Sequence, residues 1–89
     1  MNASTFLTFP WPRTRVEPDG TRCYVLTPGD NARFIAQSQT LTVEDGFAWA
    51  SLNGEDHILA GGESLVLHPG GDGLVFVSAL QGSARFHVA

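Results

Sequence analysis

The chain is 89 residues long, carries a formal net charge of −4 and is 43% hydrophobic. That length suits one small domain with a modest core, and five arginines, scattered apart from Arg13 and Arg15, exclude the basic patch that phosphate backbones require. No apolar run approaches the roughly 18 residues of a membrane span, and Met1 to Thr5 lack the basic start and apolar stretch of a secretory leader, so a cytoplasmic protein without membrane or nucleic-acid partners is expected.

Residues Met1 to Gly20 hold Pro10, Pro12 and Pro18 together with Phe6, Phe9 and Trp11, and show neither the period of a strand nor that of a helix. They read either as a frayed tail or as an extended arm, residues 1–20, and the aromatic content favours an arm that docks on the domain or on a neighbouring copy. The domain, residues 21–89, is a succession of short extended runs: Arg22 to Leu26, Ala32 to Gln37, Thr40 to Val43, Phe47 to Leu52, His57 to Leu59, Ser64 to Leu67, Leu74 to Ala79 and Ala84 to Val88. Between them lie turn formers, among them Pro28-Gly29-Asp30, Glu44-Asp45-Gly46, Asn53-Gly54, Gly61-Gly62, Pro69 to Gly73 and Gln81-Gly82-Ser83. No segment keeps a helical period for three turns. The spacing predicts an all-β fold of about eight mainly antiparallel strands, a small β-barrel or β-roll or else a sandwich.

Period-two reading assigns Leu41, Val43, Phe47, Trp49, Leu65, Leu67, Leu74, Phe76, Phe86 and Val88 to the interior. The run Leu74 to Leu80 is apolar on its second face as well, through Val75, Val77 and Ala79, so that face is expected to be covered. A core this small gains from association. The expected partner is therefore a second copy, in a homodimer or higher closed oligomer built on Val75, Val77 and Ala79 with help from Phe6, Phe9 and Trp11, the alternative being that the arm covers this face within one chain.

Gly46-Phe47-Ala48-Trp49-Ala50-Ser51, Glu55-Asp56-His57-Ile58-Leu59 and Gly61-Gly62-Glu63-Ser64-Leu65-Val66-Leu67 resemble the bacterial domain-of-unknown-function 2917 family over roughly Cys23 to Val88. The resemblance implies a small single-domain cupin-like barrel and no established activity. Set against the broader cupin pattern with Gly46 as the closing glycine of its first motif, the metal-ligand positions fall on Arg33, Ile35 and Gln39, or on Ala32 and Phe34 with the longer gap. The second motif's histidine falls on Leu74. None is a ligand of the expected type, which argues against metal-dependent oxygenase or isomerase chemistry and predicts no metal and no cofactor.

The remaining chemistry-bearing residues are sparse. His57, His68 and His87 are the only histidines, and His68 and His87 have outward parity, so surface histidines are favoured over a shared metal site. Glu44-Asp45 and Glu55-Asp56 read as solvated turn carboxylates rather than a general acid and base, and Cys23 reads as a small buried hydrophobe in a reducing compartment. No Gly-x-Ser-x-Gly elbow occurs. Gln39, Ser51 and Ser78 share the inward parity beside Trp49; they read as satisfied core polar groups or as a pocket for a small ligand, with Trp49→Ala expected to cost a core penalty of about 3–5 kcal/mol. The function expected is a non-enzymatic binding or interaction module, the alternative a small-molecule sensor or enzyme using the barrel mouth.

Overall fold

The computed structural model describes residues 13–71 and 73–89; Phe6, Phe9 and Trp11 lie outside them. Among the described residues seven strands form one antiparallel sheet: β1 (Arg13–Val16), β2 (Arg22–Leu26), β3 (Asn31–Ile35), β4 (Gln39–Leu52), β5 (Glu55–Ala60), β6 (Ser64–Leu67) and β7 (Leu74–Val88). Two differences from the sequence reading explain the count. Arg13–Val16, expected to be irregular, is a strand paired with β2, and four of the expected short runs merge into the two long strands β4 and β7.

Those long strands fold the sheet over on itself. The first half of β4 (Leu41 to Val43) pairs with the last residues of β7 (Phe86 to Val88), and this layer is completed by β1, β2 and β6. The second half of β4 (Ala48 to Leu52) pairs with Val75 to Ala79 of β7, and that layer is flanked by β3 and β5. Glu44-Asp45-Gly46 and Gln81-Gly82-Ser83 are thus bends within strands rather than connections between them, with β4–β7 register shifts between Val43 and Ala48. A Cβ on Gly46 (φ +86°) would overlap the Ser83 carbonyl oxygen and stand 3.1 Å from Ala84 Cα, so the two bends touch backbone to backbone and only glycine fits.

The Gly61-Gly62 turn locks this corner. Glu63 N–H donates to Ala60 C=O (2.9 Å) across the turn, Gly62 N–H donates to Val43 C=O (2.7 Å) and Val43 N–H donates to Glu63 C=O (3.0 Å). The β4–β5 hairpin closes through Asn53 (φ +53°) and Gly54 (φ +82°), the two positive-φ positions of a tight two-residue loop.

Bulging reverses the expected faces beyond Val43. Leu41 and Val43 are buried as expected, but Ala48, Ala50 and Leu52 now point inward while Phe47, Trp49 and Ser51 point outward. The reversal carries across the register: Val75 and Val77 lie opposite Leu52 and Ala50 and are fully buried, whereas Leu74 and Phe76 are half-buried on the outer side. The interface expected on Val75 and Val77 is therefore core, and Ala79 packs against that core. Both layers contribute to one apolar cluster; Tyr24 of β2 stacks on Phe86 (ring centroids 4.6 Å apart) and meets Phe34 of β3 across the barrel (5.8 Å).

Candidate functional site

The outer face of the β3-β7-β4-β5 layer is apolar where sheet surfaces are ordinarily polar. Ile58 (66% exposed), Ile35 (58%), Phe47 (47%) and Leu80 (46%) surround half-buried Trp49 and Phe76. Register aligns them in rows running across the four strands. One row is Arg33, Phe76, Ser51, Asp56 and the next is Asn31, Ser78, Trp49, Ile58. Ser78 Oγ donates to the Asn31 carboxamide oxygen, so the polar members of the second row satisfy each other. Arg33 and Asp56 stand exposed at opposite edges of the first row, and neither is in an ion pair among the described residues.

A second candidate is the barrel mouth. Arg22 alternates inward with Tyr24 and Leu26, and its guanidinium carbon lies 4.9 Å over the Phe34 ring and 5.9 Å from the Tyr24 ring centroid. Such a stack favours arginine, whose planar, weakly hydrated cation suits an aromatic face. Its Nη2 donates to Gln39 Oε1 at 3.5 Å. Burial pushes the Tyr24 phenol up from its ordinary value, and the Arg22 charge opposes that shift.

The outer face of the other layer carries a shallow groove of about 580 Å³ lined by Arg15, Glu17, Cys23, Glu44 and His87, among others. Its ionisable side chains already have partners: Arg15 pairs with Glu17 at 2.7 Å, His87 Nδ1 lies 2.6 Å from Glu44 Oε2, and Asp19 accepts from the Thr21 N–H at 2.9 Å. Cys23, expected to be a buried hydrophobe, is half-buried on this face, its sulfur 3.9 Å from Arg15 Nη2 and 3.8 Å from Glu17 Oε2. The Cys23 contact and the Glu17 charge together hold the Arg15 guanidinium above its ordinary value.

Of the four pocket residues expected from sequence, only Gln39 faces the barrel interior. Trp49, Ser51 and Ser78 sit together on the outer face described above, Trp49 directly opposite Ser78 in the register. Trp49 is thus not the core residue it was expected to be. The histidines are dispersed: His57 Nε2 is 3.9 Å from Glu55, His68 is exposed beyond β6, and His87 belongs to the polar groove. Among the described residues no three of His, Cys, Asp and Glu converge as metal ligands. Sequence reasoning missed Arg22, Phe34, Ile58 and Phe76. Ile58 was legible in principle, since it alternates with Leu59 and only one of the two can face inward.

No protein-family model matches the chain, and no curated protein matches its sequence. Solved structures do. An uncharacterized conserved protein with a double-stranded β-helix domain from Klebsiella pneumoniae superposes with a TM-score of 0.71 at 19% identity, over 92% of this chain and 77% of that one. A cupin 2 conserved barrel domain protein from Salinispora arenicola gives 0.71 at 13% identity over 99% and 82%. The cupin 2 domain of an XRE family transcriptional regulator from Enterobacter cloacae gives 0.65 at 16% identity over 78% and 76%. At these identities the likeness shows the fold alone: the chain is a cupin-like double-stranded β-helix, all-β and antiparallel. Among the described residues no helix is long and apolar enough to cross a membrane.

Proposed function

We propose that the protein is a non-enzymatic cupin-like interaction module, a member of the domain-of-unknown-function 2917 family, that works in the cytoplasm as a homodimer through the outer face of the β3-β7-β4-β5 layer. The observation that carries this reading is the apolar surface around Trp49 and Phe76, with Ile35, Phe47, Ile58 and Leu80 exposed on one face. Soluble chains seldom leave such a surface uncovered, and a symmetric interface supplies burial that a small core lacks. The non-enzymatic part is supported by the residues at the cupin ligand positions, where Arg33, Ile35, Gln39 and Leu74 offer no imidazole or carboxylate.

Sedimentation equilibrium of the intact chain at micromolar concentration tests this reading. A dimer that dissociates on Ile58→Lys with its fold retained supports it. A wild-type monomer overturns it.

The barrel mouth favours a second reading, a small anionic ligand with a planar apolar body. Arg22 stacked on Phe34, with Gln39 beside it, presents a cation next to aromatic surface. Benzoate and neutral benzamide are suitable probes: this reading expects benzoate to raise the melting temperature, benzamide not to, and Arg22→Met to abolish the benzoate effect.

A further inference from the structure

The apolar face is arranged so that it complements itself in one orientation. In the row Arg33, Phe76, Ser51, Asp56, the outer members have opposite charge and the inner members are one large and one small. In the row Asn31, Ser78, Trp49, Ile58 the inner pair is again small and large. Four strands separated by about 4.8 Å per step place β3 and β5 about 14 Å apart, symmetric about the line between β7 and β4.

From this we infer that two copies pack this face together about a two-fold axis running along the strands between β7 and β4, with Arg33 of each copy paired to the partner's Asp56. The inference rests on the homodimer reading above and specifies its geometry. Such an axis exchanges left and right across the sheet while keeping height along the strands. Phe76 then lies over the partner's Ser51, Trp49 over the partner's Ser78, and Ile58 over the partner's Asn31, so in these two rows each aromatic ring meets a small side chain. The roughly 10 Å between packed sheets is spanned at each edge by an arginine from one copy and an aspartate from the other, and twisted sheets pack well near this aligned orientation. The alternative two-fold, lying across the strands, stacks β3 on β3 and brings Arg33 towards the partner's Arg33 with Asp56 towards Asp56. Like charges then face each other at both edges, which disfavours it.

Charge reversal in the intact chain tests the arrangement. Arg33→Asp places two aspartates at each edge of its homodimer and Asp56→Arg places two arginines there. Each single variant should dimerise about tenfold or more weaker than wild type, because two attractive contacts become repulsive. Mixed one to one, the two variants should form a heterodimer of near wild-type affinity, since every edge regains an opposite pair. Combining both substitutions in one chain should likewise restore the homodimer. Both sites are exposed strand positions, and unchanged melting of the monomeric variants would separate association from folding.

If wild type dimerises but the variants associate like wild type, or the mixture gains nothing, this geometry is wrong while the dimer reading stands. If wild type is a monomer, the dimer reading fails with it. A chain that dimerises only after removal of residues 1–12 would assign the face to that segment and overturn the inference.

Discussion

Replacing Gly46 by alanine probes the corner on which the fold turns. Gly46 has φ +86°, and a Cβ there would overlap the Ser83 carbonyl oxygen and approach Ala84 Cα to 3.1 Å. Gly29 is the matched control, because it has φ +91° with no atom within 4 Å of its would-be Cβ, at the Thr27–Asp30 turn closed by Asp30 N–H donating to Thr27 C=O at 2.9 Å. Gly29→Ala carries only the left-handed backbone penalty, about 1–2 kcal/mol. Gly46→Ala adds the separation of two packed backbones, about 1–3 kcal/mol more on the scale of overpacked cores, for a total of about 2–5 kcal/mol. In a domain of this size each kcal/mol moves the melting temperature by about 4–8 °C, so Gly46→Ala should melt roughly 4–24 °C below Gly29→Ala. Thermal unfolding followed by circular dichroism measures the gap directly. Melting of the two variants within about 2 °C of each other would mean that the bends of β4 and β7 do not touch, and the account of the reversed faces would fall with them.

The other predictions concern residues whose faces the structure decides. Val77→Asp buries a carboxylate at a fully buried position and should unfold the chain outright in denaturant titration, where a surface role would leave the midpoint near wild type. Trp49→Ala, on the outer face, should leave the melting of a dilute, monomeric sample nearly unchanged while weakening dimerisation in sedimentation; a loss of about 3–5 kcal/mol in monomer stability would return Trp49 to the core. Tyr24 favours its neutral form in the fold, so its contribution is intact at neutral pH and is lost as pH rises past the unfolded value near 10.0 towards the raised folded value. Wild type should therefore lose stability above that pH, and Tyr24→Phe should show a shallower alkaline decline in a pH series of denaturant midpoints.

How far the sequence reached depended on whether one signal was enough. Alternating leucines and valines at Leu41, Val43, Leu65, Leu67, Phe86 and Val88, separated by glycine-containing turns, set the strand class, and in the layer built from β2, β6 and the ends of β4 and β7 they set the faces as well. Asn53-Gly54 and Gly61-Gly62 declared their turns through backbone conformations that side-chain-bearing residues seldom adopt. These local features carried the reading as far as an antiparallel barrel or sandwich; the cupin-like architecture came from the family resemblance of Gly46 to Ser51, Glu55 to Leu59 and Gly61 to Leu67. Glu44-Asp45-Gly46 was different, because the same residues suit a turn between two strands and a bulge within one. Only the close approach of Gly46 to Ser83, 37 positions along the chain, decides for the bulge.

That decision carries the parity of everything downstream. Phe47 and Trp49 compete with Ala48 and Ala50 for the interior, and the larger pair would ordinarily win it. Phe76 competes with Val75 and Val77 on a strand apolar on both faces, so hydrophobic alternation has nothing to choose between. In each case the narrow space between two layers is filled by the smaller residues, and the bulky aromatic groups are left outside. Arg33 and Asp56 show the same limit: they are 23 residues apart and unremarkable in sequence, and they come to lie in one row only because β7 and β4 stand between β3 and β5. Composition and local backbone preference thus determined the all-β class and the tight turns, whereas the extent of the long strands, their faces, and with them the surface available to a partner, were determined by contacts between segments that no local pattern encodes.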